Sequence, residues 1–307
     1  MIRNAVLFAA VFAVSGVLAP CAAAAEQPKP AQPVRVIVFG AHPDDAELKA
    51  GGTAIKWAKL GHAVKMVSVT NGDIGHWKMA GGPLAARRLA EVKAADKVLG
   101  AATEVLDIHD GELEPTLENR RKIVRLIREW KADVVIAHRP WDYHPDHRYV
   151  GVLVQDAAFM VTVPNFCPDV PALKTNPLFL YASDGFQKPY RFRADIAVSL
   201  DEVFEQKLDA LHELESQLYE GGALGSDEAL RLVPPASDPA ARKAWFRKEH
   251  FWARRDADVA NQYRDALVTW YGPEKGKQVK TAEAFEVCEY GRRVTPEQIR
   301  QLFPFYE

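Results

Sequence analysis

Runs of apolar residues alternate with helical patterns between residues 34 and 138. Four runs rich in β-branched residues predict strands, at residues 34–39, 64–70, 104–108 and 133–137. Three intervening segments carry apolar side chains at helical spacing, at residues 48–60, 84–99 and 117–130. Because strands alternate with helices of this length, the pattern predicts an α/β fold, with a Rossmann-like, doubly wound and mostly parallel sheet flanked by helices.

The pattern loosens after residue 147. It predicts a helix at residues 150–160, strands at 178–182 and 194–200, and one long helix at 202–218. We therefore expect a core at residues 34–217 and a C-terminal helical elaboration, residues 218–307, packed on that core. The elaboration holds a segment rich in Trp and Arg, which is either a platform for sugar rings or part of the apolar core.

The first 33 residues lie outside this pattern. Residues 1–25 have a short basic start, an apolar stretch and a small-residue cleavage site, which predict a signal peptide and an exported protein, periplasmic or extracellular. We expect residues 26–33 to be a flexible leader. Removal of the signal leaves Cys167 and Cys288, and the sequence leaves open whether they pair.

Charge and hydropathy restrict the classes of partner. The chain has 39 Lys and Arg against 41 Asp and Glu, a net charge of −2, and no basic stripe of the kind that binds nucleic acid. After the signal no apolar segment is long enough for an integral membrane helix. Composition therefore gives no indication of a nucleic-acid partner or of an integral membrane segment.

Two His-Pro-Asp clusters carry the strongest chemical signal, HPDD at residues 42–45 and HPDH at residues 144–147. They offer these donors and flanking acids: His42, Asp44, Asp45, His144, Asp146 and His147. In a sheet of order 3-2-1-4, the first and fourth strands are neighbours, so both clusters reach the crevice at their carboxyl ends. Two imidazoles and one carboxylate are a ligand set of catalytic zinc, which predicts a metal-dependent hydrolase. The alternative for each cluster is an Asp-rich turn, and residues 40–42 do not form the glycine fingerprint of a dinucleotide site.

Several ordered motifs resemble the PIG-L/LmbE-like zinc de-N-acetylases. The resemblance rests on AHPDDAE at 41–47, GGT at 51–53, TNGD at 70–73, Arg88 and Glu91, DGEL at 110–113, HPDH at 144–147, Lys207, SQ at 216–217 and EAF at 283–285. Ala46 departs from the pattern, since many members have Glu directly after the Asp pair.

The resemblance implies roles for individual residues. One zinc ion per chain would be held by His42, Asp45 and His147. Asp44 would be the general base, and His144, as an imidazolium, would stabilise the oxyanion or protonate the leaving amine. Asp146 is expected to orient His144 and to raise its pKa.

Three further residues are predicted to contact substrate: Arg88, Asp73 and Tyr143. The implied reaction is removal of an acetyl group from an N-acetylated amino sugar or glycoconjugate. Two alternatives remain at this point: a zinc amidohydrolase acting on another N-acyl small molecule, and a carbohydrate-binding relative without catalysis.

Overall fold

The computed structural model describes residues 32–306, so the predicted signal peptide and nearly all of the leader lie outside the described residues. The strands are β1 (Arg35–Gly40), β2 (Ala63–Ser68), β3 (Ala102–Val105), β4 (Val134–Ala137), β5 (Leu178–Ala182), β6 (Ile196–Ser199) and β7 (Ala282–Val287). The helices are α1 (Asp45–Lys59), α2 (Gly82–Leu99), α3 (Leu117–Trp130), α4 (Pro145–Met160), α5 (Phe204–His212), α6 (Glu215–Leu218), α7 (Asp227–Leu230), α8 (Pro239–Glu249), α9 (Phe251–Gln262), α10 (Arg264–Gln278) and α11 (Pro296–Leu302).

These strands form one sheet in the order β3-β2-β1-β4-β5-β7-β6. Strands β1 to β5 pair in parallel, and β7 pairs antiparallel with both β5 and β6. Val36, Ile37 and Val38 of β1 face Val134, Val135 and Ile136 of β4, so the expected neighbours are confirmed. The mostly parallel α/β fold predicted from the pattern is therefore the observed one.

The sheet is covered on both faces. One apolar cluster packs α1, α2 and α5 on one face, and a second packs α3 and α4 on the other. A sheet buried on both faces explains why its strands are continuous apolar runs in the sequence. Within the described residues no helix has the length and apolar character required to cross a membrane.

Three helices differ from the predicted ones by more than two residues at one end. Helix α1 begins at Asp45 and α4 at Pro145, so each His-Pro-Asp cluster runs into the first turn of a helix. The predicted helix 202–218 is wrong as a single element, because it breaks after His212 into α5 and α6. The break lets the Ser216 amide and hydroxyl donate hydrogen bonds to Glu91 on α2.

The C-terminal segment contributes to the sheet as well as covering it. Strand β7 lies between β5 and β6, and Glu283 on it accepts hydrogen bonds from the Gly52 and Thr53 amides in α1. Its charge is balanced by Lys207, whose ammonium lies 2.8 Å from the carboxylate and 2.6 Å from Asp256. Residues beyond 218 therefore help to hold the helix that carries Asp45.

Candidate active site

Three donor atoms converge at the carboxyl ends of β1 and β4. His42 follows β1, Asp45 opens α1, and His147 lies in the first turn of α4. Asp45 Oδ2 lies 3.5 Å from His42 Nδ1 and 3.3 Å from His147 Nε2, and the two nitrogens are 3.2 Å apart. All three residues are buried. The sheet topology thus assembles this triangle from segments about a hundred residues apart in the chain.

The triangle fits a tetrahedral zinc ion. Zinc binds imidazole nitrogen and carboxylate oxygen at about 2.0–2.1 Å, so two ligand atoms of a tetrahedral site lie roughly 3.3 Å apart. The three observed separations agree with that value. His144 belongs to a second possible donor group with His42 and His147, whose atoms lie within 4.8 Å of one another.

The electrostatics of the triangle favour positive charge. Burial disfavours the imidazolium of His147, but Asp45 and Asp142 outweigh it and raise the pKa of His147 to about 9. Burial likewise opposes charge on His42, yet hydrogen bonds from its imidazole to Asp110, Asp146 and Asp45 hold its pKa well above the usual range. The carboxylates around the triangle therefore carry more negative charge than the imidazoles of the triangle balance. A divalent cation bound there would compensate the difference.

A layer of carboxylates orients the imidazoles. His42 Nε2 lies 3.0 Å from Asp110 and 3.2 Å from Asp146, so Nε2 carries the proton of the neutral ring. The lone pair of Nδ1 is then available to bind a metal ion. His147 Nδ1 lies 3.1 Å from Asp142, which leaves Nε2 free. Histidines that bind metals commonly carry such a carboxylate on the second nitrogen.

The expected partnership between Asp146 and His144 is not observed. The Asp146 carboxylate accepts hydrogen bonds from His42, the Gly111 amide at 2.7 Å and the Leu113 amide at 3.3 Å. His144 contacts the backbone of Asp146 instead: it caps α4, and its Nδ1 accepts the Asp146 amide at 3.3 Å. Burial, followed by the neighbouring His42 and His147, lowers the pKa of His144 by more than the charge of Asp146 raises it, so the net shift is opposite to the expected one.

Asp44 lies beside the triangle and is held by Arg88. Its Oδ2 accepts a hydrogen bond of 3.1 Å from the guanidinium, which also donates to the carbonyls of Pro43 and Gly72. Burial raises the pKa of Asp44, and the charge of Arg88 opposes that rise. Gly72 has φ +69°, and a Cβ there would lie 2.4 Å from the guanidinium, so glycine is required. Arg88, predicted to bind substrate, is 1% exposed and positions Asp44.

The other two predicted substrate residues have different surroundings. Both carboxylate oxygens of Asp73 are engaged, by His109 at 2.6 Å and by the Asp110 amide at 3.1 Å, so Asp73 supports the loop that carries Asp110. Asp73 is absent from the cavity wall, whereas Tyr143 is part of it. Tyr143 is 73% exposed, with its ring centre 5.5 Å from that of His147.

A cavity of about 920 Å³ opens over the donor triangle. Its floor holds the triangle, Asp44 and His144, and its far wall is built by residues of α9 and by the loops at 183–186 and 221–224. Of the tryptophans in the C-terminal segment, Trp252 lines the cavity, while Trp270 is buried and stacks on Tyr306. The core interpretation of the Trp- and Arg-rich segment is therefore confirmed for Trp270, whereas the sugar platform stays a prediction, with Trp252 as its candidate.

Sequence reasoning missed several residues of this site. Asp142 lies five residues before His147. Its closeness in sequence to the HPDH cluster, which holds another acid, is the signal that could have identified it. His138 was not missed: its place at the end of the fourth predicted strand made it a candidate neighbour of the ligands, and in the structure it stacks on His147 and lies 3.4 Å from Asp45. Arg255 belongs to the segment rich in Trp and Arg, but nothing in one sequence shows that it meets Lys49, in the same cavity wall, at the Ser183 carbonyl.

Comparison with known proteins agrees with this geometry. The family model described as GlcNAc-PI de-N-acetylase, PIG-L, matches residues 37–158, a span that contains both His-Pro-Asp clusters. Diacetylchitobiose deacetylase from Thermococcus kodakarensis is 34% identical over 192 residues, covering 61% of this chain and 71% of that protein. A 4-oxalmesaconate hydratase from Pseudomonas putida is 25% identical over 184 residues, covering 57% of this chain and 70% of that protein.

A solved structure shares the fold. The N,N'-diacetylchitobiose deacetylase of Pyrococcus horikoshii superposes with a TM-score of 0.63 at 23% identity, covering 83% of this chain and 84% of that one. At that identity the likeness concerns the fold alone. The relative that is 34% identical is matched over more than two thirds of its length, and the family model spans both clusters. The chain therefore belongs to the PIG-L family, whose model is described as GlcNAc-PI de-N-acetylase.

Proposed function

We propose that this protein is a zinc-dependent hydrolase that removes the acetyl group from an N-acetylated amino sugar or glycoconjugate. The observation that carries the proposal is the triangle of His42 Nδ1, Asp45 Oδ2 and His147 Nε2, with edges of 3.2–3.5 Å. The 34% identity to a protein named diacetylchitobiose deacetylase supports the substrate class. One zinc ion per chain is expected, on these three ligands.

Asp44 has the position and environment of a general base. Zinc, when bound, lowers the pKa of a water molecule and polarises an amide carbonyl. Arg88 binds one oxygen of the Asp44 carboxylate, so the other is free to accept the proton of the attacking water. In hydrolysis the water oxygen bonds to the acetyl carbon, the C–N bond breaks, and the proton held by Asp44 passes to the leaving nitrogen. The products are acetate and a free amine.

His144 acts as a neutral hydrogen-bond donor in this proposal. Its lowered pKa keeps the imidazole uncharged near neutral pH. Because Nδ1 accepts the amide of Asp146, the proton resides on Nε2, and this N–H is available to the oxygen that gains charge when water adds to the amide. This role replaces the imidazolium expected from the sequence.

Two alternatives are separated from this function by experiment. A binding-only relative has no use for a carboxylate held beside the donor triangle by a buried arginine, so the Asp44–Arg88 pair favours catalysis. A hydrolase for another N-acyl compound shares all of this chemistry and differs only in substrate.

The test uses the purified chain without residues 1–25. We expect one zinc per chain by elemental analysis, and acetate and free amine in equal amounts from N-acetylated glucosamine compounds. One zinc without acetate release from any N-acyl sugar, but with release from another N-acyl compound, would assign the alternative substrate class. No hydrolysis of any N-acyl compound by the zinc-loaded chain would refute the enzyme.

We also propose that residues 1–25 direct export. The mature protein is then expected to begin at Glu26 and to be recovered outside the cytoplasm. N-terminal sequencing of the protein from cell fractions tests this, and an intact N-terminus in the cytoplasmic fraction would contradict it.

A further inference from the structure

The far wall of the cavity brings cationic groups together. Lys49 lies one turn after Asp45 on α1, and its ammonium donates a hydrogen bond of 3.2 Å to the Ser183 carbonyl. Arg255 on α9 donates to the same carbonyl at 2.9 Å and to the Ser183 hydroxyl at 2.8 Å. Two cationic groups therefore contact one oxygen atom.

An aromatic ring adjoins both cations. The Lys49 nitrogen lies 5.9 Å from the ring centre of Trp252, and the Arg255 guanidinium carbon lies 5.5 Å from it. Burial, followed by repulsion from Arg255, lowers the pKa of Lys49 to about 8. The charges of Asp45, Asp142 and Asp184 offset part of this lowering, and an anion placed between the two cations would stabilise both of them further.

The carboxylates of the described residues do not supply an anion between Lys49 and Arg255. No carboxylate lies within 4.0 Å of the Lys49 ammonium among residues 32–306, and the acid nearest Arg255 is Asp256, at 3.3 Å, which is also paired with Lys207. The acids that line the cavity floor and the adjacent loop are engaged elsewhere: Asp44 with Arg88, Asp110 with His42, Asp142 with His147, and Asp184 with Arg139.

Arg254 extends the cationic wall. It is exposed, lines the cavity and has no ion pair within the described part of the chain. Asp258, one turn further along α9, is the cavity acid that likewise has no ion pair in that part. In this wall, Lys49 and Arg254 therefore have no carboxylate partner within 4.0 Å among the described residues, and Arg255 has only Asp256.

We propose that Lys49 and Arg255, with Arg254 at the rim, form an anion subsite, and that the N-acetylated substrate carries a phosphate or carboxylate that binds there. This rests on the proposed function for the identity of the reacting group. Phosphate and carboxylate are both compact anions that an amino sugar can carry. In either case the sugar would lie between Trp252 and the donor triangle. Lys49 and Arg255 thus determine specificity, and Asp44 performs the chemistry.

Binding is measured first, in the full mature chain carrying Asp44→Asn, which slows turnover. The probes are N-acetylglucosamine 6-phosphate, N-acetylmuramic acid as the carboxylate, and neutral N-acetylglucosamine. We expect at least one anionic sugar to bind more tightly than the neutral one, and added salt to weaken only the anionic ones. Adding Lys49→Met should weaken anionic binding roughly 10- to 100-fold and leave the neutral sugar unchanged, the loss expected for a hydrogen bond to a charged group.

Two controls define the result. Lys59→Met changes an exposed lysine at the end of the same helix and should alter nothing. Lys49→Arg retains the charge and should retain the preference for anions.

A further variant keeps the test informative if Lys49→Met fails to fold. Arg254→Gln changes an exposed residue and should weaken anionic binding. Equal binding of anionic and neutral sugars that is insensitive to these variants would overturn the subsite. Because binding is measured without turnover, anion-selective binding with no hydrolysis would refute the proposed function and leave the subsite standing.

Discussion

His42 and Asp146 are 104 residues apart in the chain, yet His42 Nε2 lies 3.2 Å from Asp146 Oδ2. Asp146 is fully buried at the start of α4, where it also accepts two backbone amides from the loop at residues 111–113. This contact fixes the protonated nitrogen of His42 and turns the other toward Asp45 and His147. Asp146 therefore supports the proposed metal site through His42, and its carboxylate forms no hydrogen bond to His144 among the described residues.

Asp146→Asn is expected to weaken zinc binding by about 10- to 100-fold, because it removes the charge that orients His42 and increases its basicity. Metal titration with a competing chelator measures this. Asp156→Asn, at the surface of the same helix and paired with Arg120, is the matched control and should bind zinc normally. Normal zinc affinity in Asp146→Asn would show that Asp146 has another role.

His147→Ala should lose most of the zinc and the activity, because it removes one of three ligand atoms. Elemental analysis of the purified variant and acetate release measure the two effects. His109→Ala changes a histidine that lies at the surface and pairs with Asp73, and it should keep the metal. Full zinc content in His147→Ala would assign the third ligand elsewhere, His144 being the nearest alternative.

Asp44→Asn should keep zinc while kcat falls by roughly 10²–10⁴, because the amide preserves the contact with Arg88 but accepts no proton. Zinc content, thermal stability and steady-state kinetics are compared with the parent protein. Wild-type kcat with normal zinc would remove Asp44 from the mechanism.

Asp96 predicts a pH dependence of stability. It is fully buried on α2 next to the buried Glu47, and burial raises the pKa of Asp96 to about 7. In the unfolded chain its pKa is near the usual value of about 4. The folded state therefore holds the proton more tightly, so this stabilisation is present below pH 4 and is lost as pH rises through about 7.

Asp96→Asn replaces the acid with a neutral side chain of the same shape. Between pH 5 and 8 the free energy of unfolding should fall less steeply in the variant than in the wild type, by on the order of 1–3 kcal/mol. Urea unfolding at several pH values measures the slope. Asp209→Asn, at the surface on α5, should keep the wild-type slope, and parallel slopes for Asp96→Asn and the wild type would contradict the assignment.

Arg128 is expected to be essential to stability. It is 2% exposed, and its guanidinium donates to six backbone carbonyls at the end of α4 and in the loop that follows: Met160, Val161, Val163, Phe166, Cys167 and Val170. Arg128→Met leaves the carbonyls of Phe166 and Val170 without a hydrogen-bond donor among the described residues and removes one of two donors from the other four, so it should cost about 3 kcal/mol or more of unfolding free energy. Arg121→Met, at the exposed face of the same helix, is the control; equal losses for both variants would contradict the role of Arg128.

The sequence was sufficient for the parallel core and for the convergence of His42, Asp45 and His147 at one end of it. The strands are apolar on both faces and the helices have a clear period, so α3 was predicted at its observed bounds and β1 was predicted to pair with β4. That pairing is a consequence of strand order, and it alone brings His42 and Asp45 to His147. Local periodicity and strand order were therefore enough to predict the sheet and the meeting of these three residues.

Tertiary structure decided what each polar side chain contacts. Asp146 could orient either His42 or His144, Arg88 could bind substrate or Asp44, and only packing between distant segments selects one partner. For the same reason the sequence did not predict the cavity wall. Lys49 and Arg255 are 206 positions apart, and no local pattern shows that both contact the Ser183 carbonyl. Hydrogen bonds act over about 3 Å, so which groups form them depends on the packing of the whole chain.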